Sequence, residues 1–138
     1  SPPRLDFAAL RGGPRGASFA RFLQQAQSHM NAGQPERLME VDIPLPLLIS
    51  AASYVDKYGP AARYDVLKFA PQIDVPALYV FGAQEVASAN PAFTGLDAAL
   101  AAAPGANRRV ETIAGADHFY TGKTAELAAT IRRHVDWL

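Results

Sequence analysis

The chain has 138 residues, and its thirteen basic and thirteen acidic side chains cancel, so no basic stripe offers itself to nucleic acid. An apolar content of 49% is that of a folded domain, and the absence of cysteine removes disulfides, thiolate metal sites and a cysteine nucleophile together. No apolar run reaches the ~20 residues that a bilayer span needs and no signal pattern opens the chain, so no membrane partner is expected and the expected location is cytoplasmic.

The opening segment reads as loop, because Pro2, Pro3, Gly12, Gly13, Pro14 and Gly16 interrupt any period. A helix is expected from Ser18, as its cap, to about Ala32. Phe19, Phe22, Leu23, Ala26 and Met30 form one face, and Gly33 ends it. Pro35 to Met39 offers only a weak helical turn. Asp42 then reads as the cap of a second helix, Leu45 to Tyr58, with Pro44 and Pro46 in or before its first turn. Leu47, Leu48, Ala51, Tyr54, Val55 and Tyr58 make its buried face, and Gly59-Pro60 stops it. A further turn or two, anchored by Tyr64 and Leu67, carries the chain to Lys68. Residues 1–70 thus read as a helical, cap-like segment.

The character changes at Pro71-Gln-Ile-Asp-Val-Pro76. Ala77 to Phe81 is apolar without alternation, as in a parallel strand covered on both faces. Asn90-Pro91 makes a cap and first turn for a helix reaching Ala103, with Phe93, Leu96 and Leu100 inward; Thr94 is the alternative start. Arg108 to Ile113 is the next strand. The last helix runs from about Lys123, with Leu127, Ile131, Val135 and Leu138 on one face and Arg132, Arg133 and Asp136 on the other. Strand, helix, strand, helix implies an α/β unit over 71–138 with two parallel strands and a right-handed crossover. Two such strands leave ladder groups open, so further strands from elsewhere, or self-association through the open sheet edge, are expected.

The ends of parallel strands are where α/β enzymes place reactive groups. Glu85 follows the first strand in Gly82-Ala-Gln-Glu85, and His118 follows the second in Ile113-Ala-Gly-Ala-Asp-His-Phe-Tyr120. A carboxylate there can take the Nδ1 proton of the imidazole and leave Nε2 to face a nucleophile. Gly115 lets the loop turn, Asp117 structures it, and Phe119 and Tyr120 wall the ring from water. Asp97 reads as a helix-face or cap residue, and His29 and His134 as helix residues. No further ligand stands at metal spacing, and Arg11-Gly-Gly-Pro-Arg-Gly16 lacks the lysine-serine of a phosphate loop, so neither a metal nor a cofactor is expected.

The nucleophile is missing. No Gly-x-Ser-x-Gly occurs. Ser50 and Ser53 fall inside the second helix, Ser18 reads as a cap, Ser28 as helix surface and Ser88 as loop.

On these residues, Ile73-Asp-Val-Pro-Ala-Leu-Tyr-Val-Phe-Gly-Ala-Gln-Glu85 resembles the acid strand and loop of the α/β-hydrolase superfamily. Ala114-Gly-Ala-Asp-His-Phe-Tyr120 is similar to its histidine loop, with the final helix following. The resemblance covers Ile73 to Leu138; Ser1-Pro2-Pro3 looks like the exit of a preceding strand, and the helical segment like a cap. It implies that Glu85 is the triad acid, with Glu where Asp is commoner, and that His118 is the base. It further implies that the chain is the C-terminal piece of a longer serine hydrolase acting on a small-molecule ester or related acyl bond, inactive by itself. Dehalogenases and epoxide hydrolases with an Asp nucleophile share the framework. The competing expectation is a non-catalytic α/β module for assembly or ligand binding, with a pocket of Tyr54, Tyr58, Tyr64 and Phe81.

Overall fold

Asp6 starts the first helix. Its carboxylate accepts from the Ala8 and Ala9 amides at 2.8 and 3.2 Å, capping α1 (Phe7–Gly12) in a stretch expected to be loop. The computed structural model describes residues 4–90, 92–105 and 107–135. It divides into two units, Leu5–Asp65 and a second made of Arg4 and the residues from Val66 onward. Ser1-Pro2-Pro3, Pro91, Asp136 and Leu138, each given a place above, lie outside the described residues.

In the first unit, α2 (Gly16–Asn31) begins ahead of Ser18, so Ser18 is a helix residue and not its cap. Glycine is required at that start, because a Cβ at Gly16 would collide with the Arg11 carbonyl. Gly33, at φ +71°, follows the helix as expected. The expected helix over Leu45–Tyr58 is corrected. Leu38–Val41 (β1) and Leu47–Ser50 (β2) form an antiparallel hairpin, and only Ala51–Tyr58 is helical (α3). Met39, Val41 and Ile43 alternate inward with a period of two, and Met39 pairs with Ile49. Pairing with that strand outweighs the helical spacing of the leucines. Phe19, Ala26, Met39, Val41, Ile43, Ala51, Tyr54 and Tyr58 make the core of this unit. The Tyr54 hydroxyl donates to the Ile43 carbonyl at 3.0 Å, and burial pushes its pKa well up. Tyr64, by contrast, is half exposed.

The second unit is α/β. After α4 (Val66–Phe69) and a 3₁₀ turn (Ala70–Gln72), β3 (Ala77–Gly82) runs into a short helix, α5 (Ala83–Val86). Then come α6 (Leu96–Ala102), β4 (Arg108–Ile113) and α7 (Thr124–Val135). β3 and β4 are parallel, in register from Ala77 beside Arg108 to Gly82 beside Ile113. Phe81, Tyr79, Leu96, Leu100 and Ala70 form the core. Asn90 accepts from the Ala92 amide at 3.0 Å and shapes the turn before α6 rather than capping it; the cap position belongs to Gly95, at φ +68°.

α7 lies differently from expectation. Ile131 and Val135, assigned to its inward face, are 44% and 56% exposed, and Thr130 and His134 are buried instead. The polar stripe is satisfied: His134 Nδ1 donates to the Thr130 carbonyl at 2.8 Å, and its Nε2 lies 3.3 Å from Glu111 on β4. Among the described residues, no helix is long and apolar enough to cross a membrane.

Candidate active site

β3 and β4 end side by side, so the segments leaving them are neighbours by register. Glycine at position 82 permits their approach, since a Cβ there would collide with the Ala116 and Asp117 carbonyls. Gln84 ties the two segments: its amide donates to Ala116 at 3.0 Å and its side chain to Gly115 at 3.1 Å. Gly115 turns the second segment at φ +69°. Tyr120, a non-glycine residue at φ +56°, closes it, and its hydroxyl donates to the Val80 carbonyl at 2.6 Å. That anchorage to β3 sustains a backbone conformation that costs a side-chain-bearing residue ~1–2 kcal/mol.

This frame brings Glu85 and His118 together. Nδ1 of His118 lies 2.6 Å from Glu85 Oε2. Glu85 sits in the first turn of α5 rather than in open loop, and its other oxygen accepts the Gly82 amide at 2.9 Å. The carboxylate is buried (side chain 3% exposed), whereas the imidazole is 44% exposed. A carboxylate only accepts when ionised, so Nδ1 carries the proton of the neutral ring and Nε2 keeps its lone pair. Among the described residues, Glu85 is the hydrogen-bond partner of the ring, at Nδ1, which leaves Nε2 for a substrate or nucleophile.

Asp117 does what its position suggested. Its Oδ1 accepts the Phe119 and Thr121 amides at 2.9 and 3.0 Å, and the bonds from Thr121, first among the causes, hold its pKa below the ordinary 3.8. Phe119 lies against the His118 ring, at 5.1 Å and 71° between planes, yet remains 83% exposed. Tyr120 is an anchor to β3 rather than a wall. Phe93 also reaches the imidazole, at 5.2 Å and 54°. It was expected on an inward helix face but stands in the turn ahead of α6, and nothing in its spacing from residue 118 signals the contact. Asp97 lies in the first turn of α6 and accepts a long 3.4 Å bond from Thr112.

The serines fall elsewhere. Ser50, expected inside a helix, stands where β2 runs into α3, the kind of junction that presents a nucleophile. Its φ and ψ of −71° and 154° are ordinary extended values, however, and its oxygen accepts the Ser53 amide as a cap. Ser88 donates to the Glu85 carbonyl at 2.7 Å. Among the described residues, no cluster of three or more His, Cys, Asp or Glu side chains could hold a metal ion. No family model, no curated protein and no solved structure matches the chain.

Proposed function

We propose that His118 and Glu85 are the general base and its orienting acid in an acyl-transfer site of α/β-hydrolase type, acting on an ester or related acyl bond. The 2.6 Å contact from Nδ1 to a buried carboxylate, with the other ring nitrogen left to act, carries the reading. His118 Nε2 takes the proton of a serine hydroxyl as the oxygen bonds to the acyl carbon. The imidazolium is stabilised by Glu85 and returns that proton to the departing alcohol as its C–O bond breaks. Water then repeats the sequence on the acyl-enzyme, and serine and acid are released. This chain supplies base and acid; the hydroxyl comes from elsewhere in the same polypeptide or from a partner chain.

The test uses the protein expressed from its full gene. It is expected to hydrolyse p-nitrophenyl esters, and His118→Ala to lower the rate by three or more powers of ten. A normal rate in that variant ends the reading.

A second reading, a non-catalytic module for assembly, draws on Ile131 and Val135 exposed on α7 and on β3 pairing, among the described residues, with β4 alone. It predicts a defined oligomer in solution. A monodisperse monomer removes it.

A further inference from the structure

Among the described residues, Phe119 is the most exposed large apolar side chain, at 83%. An aromatic ring left this far in water forgoes most of the stabilisation that burial would give it, and nothing loose in the backbone accounts for it. Asp117 accepts the amides of Phe119 and Thr121, and Tyr120 between them is anchored to Val80, so the ring is held out by a pinned turn. It is also in edge contact with the imidazole whose Nε2 remains available, and Phe93 touches the same imidazole. Small-molecule sites combine aromatic lining with a few placed polar groups, and this turn sets an aromatic ring against the imidazole.

We propose that Phe119, with Phe93, forms an apolar ledge that receives the alkyl part of the acyl group at His118. The substrate class is then esters of medium-length aliphatic acids rather than acetyl esters. Phe119 is a specificity-determining residue, and this assignment rests on the hydrolase reading above.

The experiment compares p-nitrophenyl hexanoate with p-nitrophenyl acetate in the protein from its full gene; the shared leaving group cancels in the ratio of kcat/KM. Phe119→Ala is expected to lower the hexanoate-to-acetate ratio about tenfold, the size of effect that apolar contacts give in substrate discrimination, and Phe119→Leu to restore most of it. A ratio unmoved by Phe119→Ala overturns the ledge and leaves the hydrolase intact. If the wild-type protein hydrolyses neither ester, the hydrolase reading falls and binding decides the ledge. In that case, hexanoate perturbing the His118 ring resonances at lower concentration than acetate, with the preference lost in Phe119→Ala, sustains it. Equal perturbation by both acids overturns it.

Discussion

At the scale of single residues, the His118–Glu85 hydrogen bond decides which ring nitrogen holds the proton, and hence whether the imidazole can act as a base at Nε2. Glu85→Gln separates this effect from packing. The amide oxygen can still accept the Gly82 N–H, but the amide nitrogen donates, and so favours a bare Nδ1 and a protonated Nε2. We expect turnover to fall roughly 10³–10⁴-fold, the scale of a wrong-tautomer triad, with little change in melting temperature; a thermal melt beside an ester assay checks both. Asp117 gives a pH-dependent counterpart. Its pKa is depressed in the fold, so its stabilisation of the histidine turn is present above 3.8 and is lost as pH falls below that value. Amide-exchange protection at Phe119 and Thr121, taken relative to the intrinsic rate at each pH, is expected to fall on acidification below 3.8 in the wild type, while in Asp117→Ala it is low already at neutral pH. Glu85 and His118 were legible because each follows a strand, where side chains converge. The Phe93 contact was not, because ring approach depends on the path of the turn before α6.

Among the elements, β3 and β4 were read correctly from an unalternating apolar run and a β-type run, and the register confirms them as a parallel pair. The hairpin was missed for an opposite reason. Leu45, Leu47 and Leu48 occur at spacings that a helix also uses, and only non-local pairing selects strand; Leu45 and Leu48 end up exposed. α7 was placed correctly and turned wrongly. Apolar periodicity selected Ile131 and Val135, but His134 finds both a carbonyl and a carboxylate partner and takes the buried stripe. Arg108 shows what else holds the second unit. Its guanidinium donates to the carbonyls of Ala70, Ala103 and Pro104, joining the 3₁₀ turn, the end of α6 and β4. Hydrogen bonds from charged donors contribute a net ~1.5–3 kcal/mol each, less where, as at Pro104, the bond is exposed. Arg108→Met, which keeps the aliphatic stem, is expected to lower unfolding free energy by about 3 kcal/mol in urea titration. An unchanged midpoint contradicts this account of the clamp.

For the whole molecule, each unit carries its own core: Phe19 and Tyr54 anchor one, Phe81, Leu96 and Leu100 the other. Truncating a fully buried Phe typically costs 3–5 kcal/mol. Phe19→Ala is expected to lower hydrogen-exchange protection chiefly within residues 5–65, and Phe81→Ala within 66–135. Equal loss throughout after either change would show one cooperative unit. The sequence marked a division close to this one by its change of composition near Pro71, whereas α4 and the 3₁₀ turn group with the strands because Ala70, Val66 and Leu67 pack into their core. The measurement that bears most directly on the central claim is the tautomer of His118, from long-range ¹⁵N–¹H correlations of the neutral ring. A protonated Nδ1 and a bare Nε2 are expected, with the pattern inverted in Glu85→Gln. A proton on Nε2 in the wild-type protein would contradict that claim, because the ring could not then accept a proton at the nitrogen that faces away from Glu85.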